Sequence, residues 1–116
     1  MRMSGRDYSV RLSMAAPYMW TRDDALLIYR ALLKTAAEQH GFSAALYGSV
    51  LLGAEGNDLD VFMIPQRENP DMAGLLNTLR RHMRAVTDPI AGDWNRDVII
   101  ATTIEGRQID IQFTRL

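Results

Sequence analysis

Residues 48–61 read GSVLLGAEGNDLDV, a small polar turn followed by two acids one residue apart. The short apolar run Ala44 to Tyr47 leads into it and is too short for a helix, so it is expected to form a buried strand ending at Gly48. Ser49 then opens a short helical turn through Leu52, which Gly53 stops. Gly53, Glu55, Gly56 and Asn57 form a loop, and Asp58 to Ile64 return as a second strand closed by Pro65. Successive strand side chains point to opposite faces, so Asp58 and Asp60 share one face while Leu59, Val61 and Met63 share the other. One face of this strand is built to pack and the other carries acid.

Upstream, Thr21 before Asp23 and Asp24 gives a hydroxyl N-cap and an acidic first turn. Apolar residues follow at helical spacing from Ala25 through Leu33 to Ala37, which predicts a helix to about His40, ended by Gly41. Downstream, Asn69 and Pro70 read as an N-cap and first helical position, with Met72, Leu75, Leu76, Leu79, Met83 and Val86 as one apolar stripe. Arg80, Arg81 and Arg84 on the other side read as a solvated face that complements the helix C-terminus. After a loop from Pro89 to Trp94, Asp97 to Thr103 and Gln108 to Thr114 form a hairpin through Glu105 and Gly106. An edge strand is expected near the start, at Tyr8, Val10 and Leu12. The order helix, strand, short helix, strand, helix, strand, strand describes an α+β domain.

A chain of 116 residues is expected to be one domain, residues 1–116, with no second unit to cover a substrate. Its 47% hydrophobic and 23% charged residues are ordinary for a folded globular chain. The net charge of -1 supplies no field to attract polyanions, so bulk charge does not suggest nucleic-acid binding. Lys34 is the single lysine among the 13 basic residues, and the arginine bias matters only where a guanidinium fork converges on a ligand. The absence of cysteine rules out disulfides and thiolate zinc sites. No apolar run approaches a membrane span or a signal peptide, so a cytoplasmic location is the expectation.

Near the C-terminus Ile109, Ile111 and Phe113 can pack while Asp110 and Gln112 look the other way. Asp58, Asp60 and Asp110 on one sheet face would repel one another unless a cation is bound, and hard carboxylate oxygens suit Mg²⁺ or Mn²⁺. At Gly48 and Ser49, a glycine lets phosphate approach the backbone, while a serine hydroxyl and the amides of a helical turn can donate to it. A Gly-Ser pair or an Asp-x-Asp alone says little, because both are frequent in turns and strand ends. The order strand, Gly-Ser, short helix, Asp-x-Asp is far more specific.

That order resembles the nucleotidyltransferase superfamily of DNA polymerase β, the aminoglycoside nucleotidyltransferases and the minimal nucleotidyltransferases. The family's Gly-Ser falls on Gly48 and Ser49, its Asp-x-Asp on Asp58 and Asp60, and its later acid on Asp110. The resemblance covers roughly residues 25 to 114 and implies a nucleotidyltransferase-like small mixed sheet with helices packed on one face. It implies that Asp58 and Asp60 hold the metal bridging a triphosphate, and that with Asp110 they hold a second metal beside an acceptor hydroxyl. Asp110 would also help to deprotonate that hydroxyl. The implied reaction moves a nucleoside monophosphate, AMP from ATP by expectation, onto a hydroxyl of a protein, RNA or small molecule.

Minimal members often work beside a partner subunit, so a protein partner or a homo-oligomer is implied as well. The eight residues between Ser49 and Asp58 form a shorter connection than in many minimal members, which narrows the pocket expected for the triphosphate. A catalytically inactive protein of the same fold, binding a nucleotide or a protein as a regulatory module, is the alternative. Other residues weigh less. His40 and His82 read as surface histidines rather than bases, Glu55 and Asn57 as solvated loop residues bordering the pocket, and Tyr47 and Trp94 as core or rim rather than stacking platforms. The seven methionines read as gap-fillers in the core.

Overall fold

The first helix starts where Thr21 can cap it. Its hydroxyl oxygen accepts from the Asp24 amide at 3.2 Å, satisfying one of the donors that a helix start leaves free. In the computed structural model, which describes residues 19–48, 50–53, 56–91 and 97–114, this helix runs as α1 (Arg22–Ile28), a π-helical segment (Tyr29–Leu33) and α2 (Lys34–Gln39). The span to about His40 agrees with the spacing of its apolar residues, but the middle is wider than an α-helix. Gly41 ends it at φ +83°, a left-handed conformation that a Cβ disfavours. The strand expected at Tyr8, Val10 and Leu12 lies outside the described residues, as do Ser49, Glu55 and Trp94.

β1 (Phe42–Tyr47) begins earlier than its apolar run suggested, because Phe42 is buried and pairs in register with Pro65. After Gly48, residues 50–53 form a turn closed by the Gly53 amide donating to the Val50 carbonyl at 3.0 Å. β2 (Asp58–Pro65) follows. The second helix, α3 (Met72–His82), starts later than expected. Asp71, not Asn69, is its N-cap, with a carboxylate oxygen accepting from the Gly74 amide at 2.9 Å. The Asp71 amide in turn donates to the His40 carbonyl at 2.8 Å, which ties the start of α3 to the end of α2.

The apolar stripe leaves the helix before Met83 and Val86. Met83 turns extended, and the Arg84 amide donates to the Thr102 carbonyl at 2.8 Å, so the chain joins the sheet as β3 (Ala85–Val86). The segment read as loop also contains β4 (Ile90–Ala91). β5 (Asp97–Thr102) and β6 (Gln108–Phe113) form the expected antiparallel hairpin.

Among the described residues six strands lie in the order β1-β2-β6-β5-β3, with β4 paired to β5. β2 and β6 run parallel while the other pairings are antiparallel, so the sheet is mixed. Leu59, Val61, Met63, Ile109, Ile111, Ile99 and Ala101 are fully buried on one face, in a single core with Leu33, Ala37, Leu75 and Leu79 of the helices. Burying a side chain the size of Val, Leu or Met contributes about 1.5–3 kcal/mol, so this face alone explains why the strand register does not slip. No helix among the described residues is long and apolar enough to cross a membrane.

Candidate functional site

Two adjacent strands place the acids. In the parallel pair β2 and β6, Asp60 stands in register with Asp110, and Asp58 with Gln108. Register partners share a face, and neighbouring strands lie about 4.8 Å apart, so Asp60 and Asp110 are side by side on the face opposite the helices. Asp58 is two residues further along β2 on that face and is exposed, whereas Asp60 and Asp110 are half-buried.

The electrostatics report the same crowding. Partial loss of water and then the charges of Asp110 and Asp58 push the Asp60 carboxyl above its ordinary value. Loss of water and then the Asp110 charge raise Asp58. Crowded carboxylates favour a cation that relieves their repulsion, and carboxylate oxygens are hard donors of the kind that Mg²⁺ or Mn²⁺ takes. Among the described residues the acids do not close into a preformed three-ligand cation group. The geometry gives the reason: Asp60 and Asp110 are lateral neighbours, while Asp58 stands one full pleat repeat away.

Gly48 completes one wall. It has φ +92°, and a Cβ built there would lie 2.8 Å from the Asp60 Oδ2. The backbone at the head of the Gly-Ser turn therefore sits against the acid that the sequence paired with it, in a position that only glycine fills without a clash. Ser49, the other half of that expectation, lies outside the described residues.

Gln108 was missed. Its side-chain amide donates to the Asp110 Oδ1 at 2.8 Å, holding one carboxylate oxygen in place. The alternation that put Asp110 on the acidic face puts Gln108 there too, two residues earlier, so the signal was present. Trp20 and Arg107 were missed as well. The Trp20 indole donates to the Gln108 carbonyl at 2.6 Å, and its ring lies 5.6 Å from the Arg107 guanidinium. Buried Arg107 pairs with buried Asp24 at 2.7 Å, so Asp24 acts beyond the helix-dipole role read from its position. These contacts clamp the chain just before Asp110, and no spacing rule announces a pair 83 residues apart.

The weaker candidates resolve individually. Tyr47 stacks on Phe62 at 4.1 Å and so belongs to a cross-strand pair on the acidic face. His40 is not a simple surface residue, since it sits between Asp71 and Thr78. Asn57 is exposed in the loop before Asp58. Neither a protein-family model nor a curated protein matches the sequence, so the resemblance to nucleotidyltransferases rests on the sequence motif alone.

Proposed function

We propose that this chain is a metal-dependent nucleotidyltransferase that moves a nucleoside monophosphate, AMP from ATP in the simplest case, onto an acceptor hydroxyl. The observation that carries the reading is Asp60 and Asp110 side by side on parallel strands, with Asp58 on the same face and the Gly48 backbone against Asp60. Asp58, Asp60 and Asp110 would hold Mg²⁺ or Mn²⁺. Bound there, the cation would offset phosphate charge and stabilise the attacking and leaving oxygens.

The chain's own groups have separate tasks. The glycine lets a phosphate reach the backbone. Asp110, with one oxygen held by Gln108, presents the other to the proton of the acceptor hydroxyl. The acceptor oxygen bonds to the α-phosphorus, the bond from that phosphorus to its bridging oxygen breaks, and pyrophosphate leaves with the electron pair.

Purified protein with ATP and Mg²⁺ should release pyrophosphate and label an acceptor in lysate. Asp60→Asn or Asp110→Asn should lower that rate at least about 100-fold, or about 2.7 kcal/mol of barrier. Wild-type protein that neither binds nor transfers any nucleotide sinks the proposal.

A regulatory protein of the same fold is the second reading, favoured by Leu52, a large apolar side chain 88% exposed in the loop beside the site. Nucleotide binding that depends on the acids, with no pyrophosphate released, selects it.

A further inference from the structure

On the sheet's other side, α2 and α3 leave a cleft of about 130 Å³. That lies below the roughly 300 Å³ at which clefts for drug-sized ligands begin, so it suits an inorganic oxyanion or a short carboxylic acid better than a nucleotide. Its polar lining comes from Thr35, Gln39, Thr78, Arg81 and His82, and no carboxylate stands among the described residues lining it.

Arg81 is held differently from its neighbour. Arg80 pairs with the Asp88 carboxylate at 2.7 Å, as a surface arginine commonly does. Arg81 instead donates to the Thr78 hydroxyl oxygen at 3.2 Å. That oxygen is itself fixed, 2.8 Å from the His40 Nε2, and the His40 Nδ1 stands 3.4 Å from the Asp71 carboxylate. A guanidinium only donates, so the Thr78 hydroxyl keeps its own proton to give. In the neutral imidazole the network assigns the ring proton to Nδ1, facing Asp71, and leaves Nε2 to accept from Thr78.

The outcome is a four-residue chain, Asp71 to His40 to Thr78 to Arg81, that orients a guanidinium at the mouth of a cleft. Arg81 is solvent-exposed and uses one of its five N–H groups on this anchor, so part of its side-chain freedom is already spent before a ligand arrives.

The opposite wall adds an independent sign. Ala31 and Leu32, which line the cleft, belong to the π-helical segment. Such segments break the regular helix ladder and are frequent at functional sites.

We propose that this cleft binds a small oxyanion of the phosphate or carboxylate class, gripped by the preoriented Arg81, on the side of the sheet away from the acids and independently of nucleotidyl transfer. Inorganic phosphate and acetate, titrated separately against the whole chain by calorimetry and by amide shifts, test it. One of them should bind saturably with a Kd of about 1 mM or tighter, shifting the Thr35, Gln39 and Arg81 amides. The tighter of the two names the class. Arg81→Gln should weaken that binding at least tenfold with an unfolding midpoint in ligand-free buffer close to that of wild type, and Thr78→Val severalfold with a lowered midpoint, because the His40 Nε2 loses its partner. Asp58→Asn/Asp60→Asn should leave it unchanged. Saturable binding by neither anion overturns the proposal, as does undiminished binding in Arg81→Gln or shifts gathered on Gly48 and Val50.

Discussion

Asp58 and Asp60 carry a cost that is present whether or not catalysis follows. Both folded-state carboxyls hold their proton more tightly than the ordinary value of 3.8, through loss of water first and neighbouring acids second. The folded state therefore binds more protons than the unfolded state above pH 3.8, and stability falls as pH rises through the window between that value and the raised folded values. The penalty is complete at neutral pH and absent well below 3.8. Asp60→Asn should accordingly raise the unfolding midpoint at pH 7 in EDTA, and the advantage should shrink as the pH is lowered toward 3.8. Added Mg²⁺ should shrink it too, by stabilising the wild type through the same acids. Thermal unfolding at pH 7 and pH 4, with and without Mg²⁺, reads this. An Asp60→Asn protein that is less stable than wild type in EDTA at pH 7 would mean that Asp60 is a structural acceptor rather than a repelled acid.

The turn between β1 and β2 shows what the elements made legible and what they hid. Gly48 was identified from its neighbours in sequence, and its φ of +92° and close approach to the Asp60 Oδ2 supply the physical need. Gly48→Ala should cost about 1–2 kcal/mol from the left-handed backbone alone. Because its Cβ would also displace the Asp60 carboxylate, metal-dependent nucleotide binding should fall further than stability does. Urea unfolding beside a Mg²⁺ titration separates the two losses, and equal binding in the variant would detach the turn from the site. The long helices and the β5–β6 hairpin were readable because periodicity and turn glycines act locally. β3 and β4 were not, since two-residue strands have no period and exist only because β5 offers an edge. Asn69 lost the cap to Asp71 because the chain there is also held by the His40 carbonyl, a contact made across the fold.

Across the whole molecule, alternation alone put Asp58, Asp60 and Asp110 on one face, and the parallel pairing of β2 with β6 then set Asp60 beside Asp110, which sequence could only expect. What stayed hidden is the support beneath them. Arg107 and Asp24 join the first helix to the start of β6, and the Arg107 guanidinium lies over the Trp20 ring, whose indole bonds to the Gln108 carbonyl. Charged groups at 2% and 8% side-chain exposure have lost nearly all their water, and their mutual contact offsets part of that cost. Arg107→Met leaves the Asp24 charge buried and should destabilise the fold by about 3–5 kcal/mol, as should Asp24→Leu. The double variant removes both charges and replaces them with apolar volume, so it should recover most of that loss and be more stable than either single change. Urea unfolding of the four proteins gives the coupling energy directly. If the pair also sets the line of β6, the double variant should keep its stability yet lose affinity for Mg²⁺ and nucleotide, because Gln108 and Asp110 follow immediately. Full affinity in a stable double variant would show that backbone pairing with β2 is enough to place Asp110, and that the buried pair serves the fold alone.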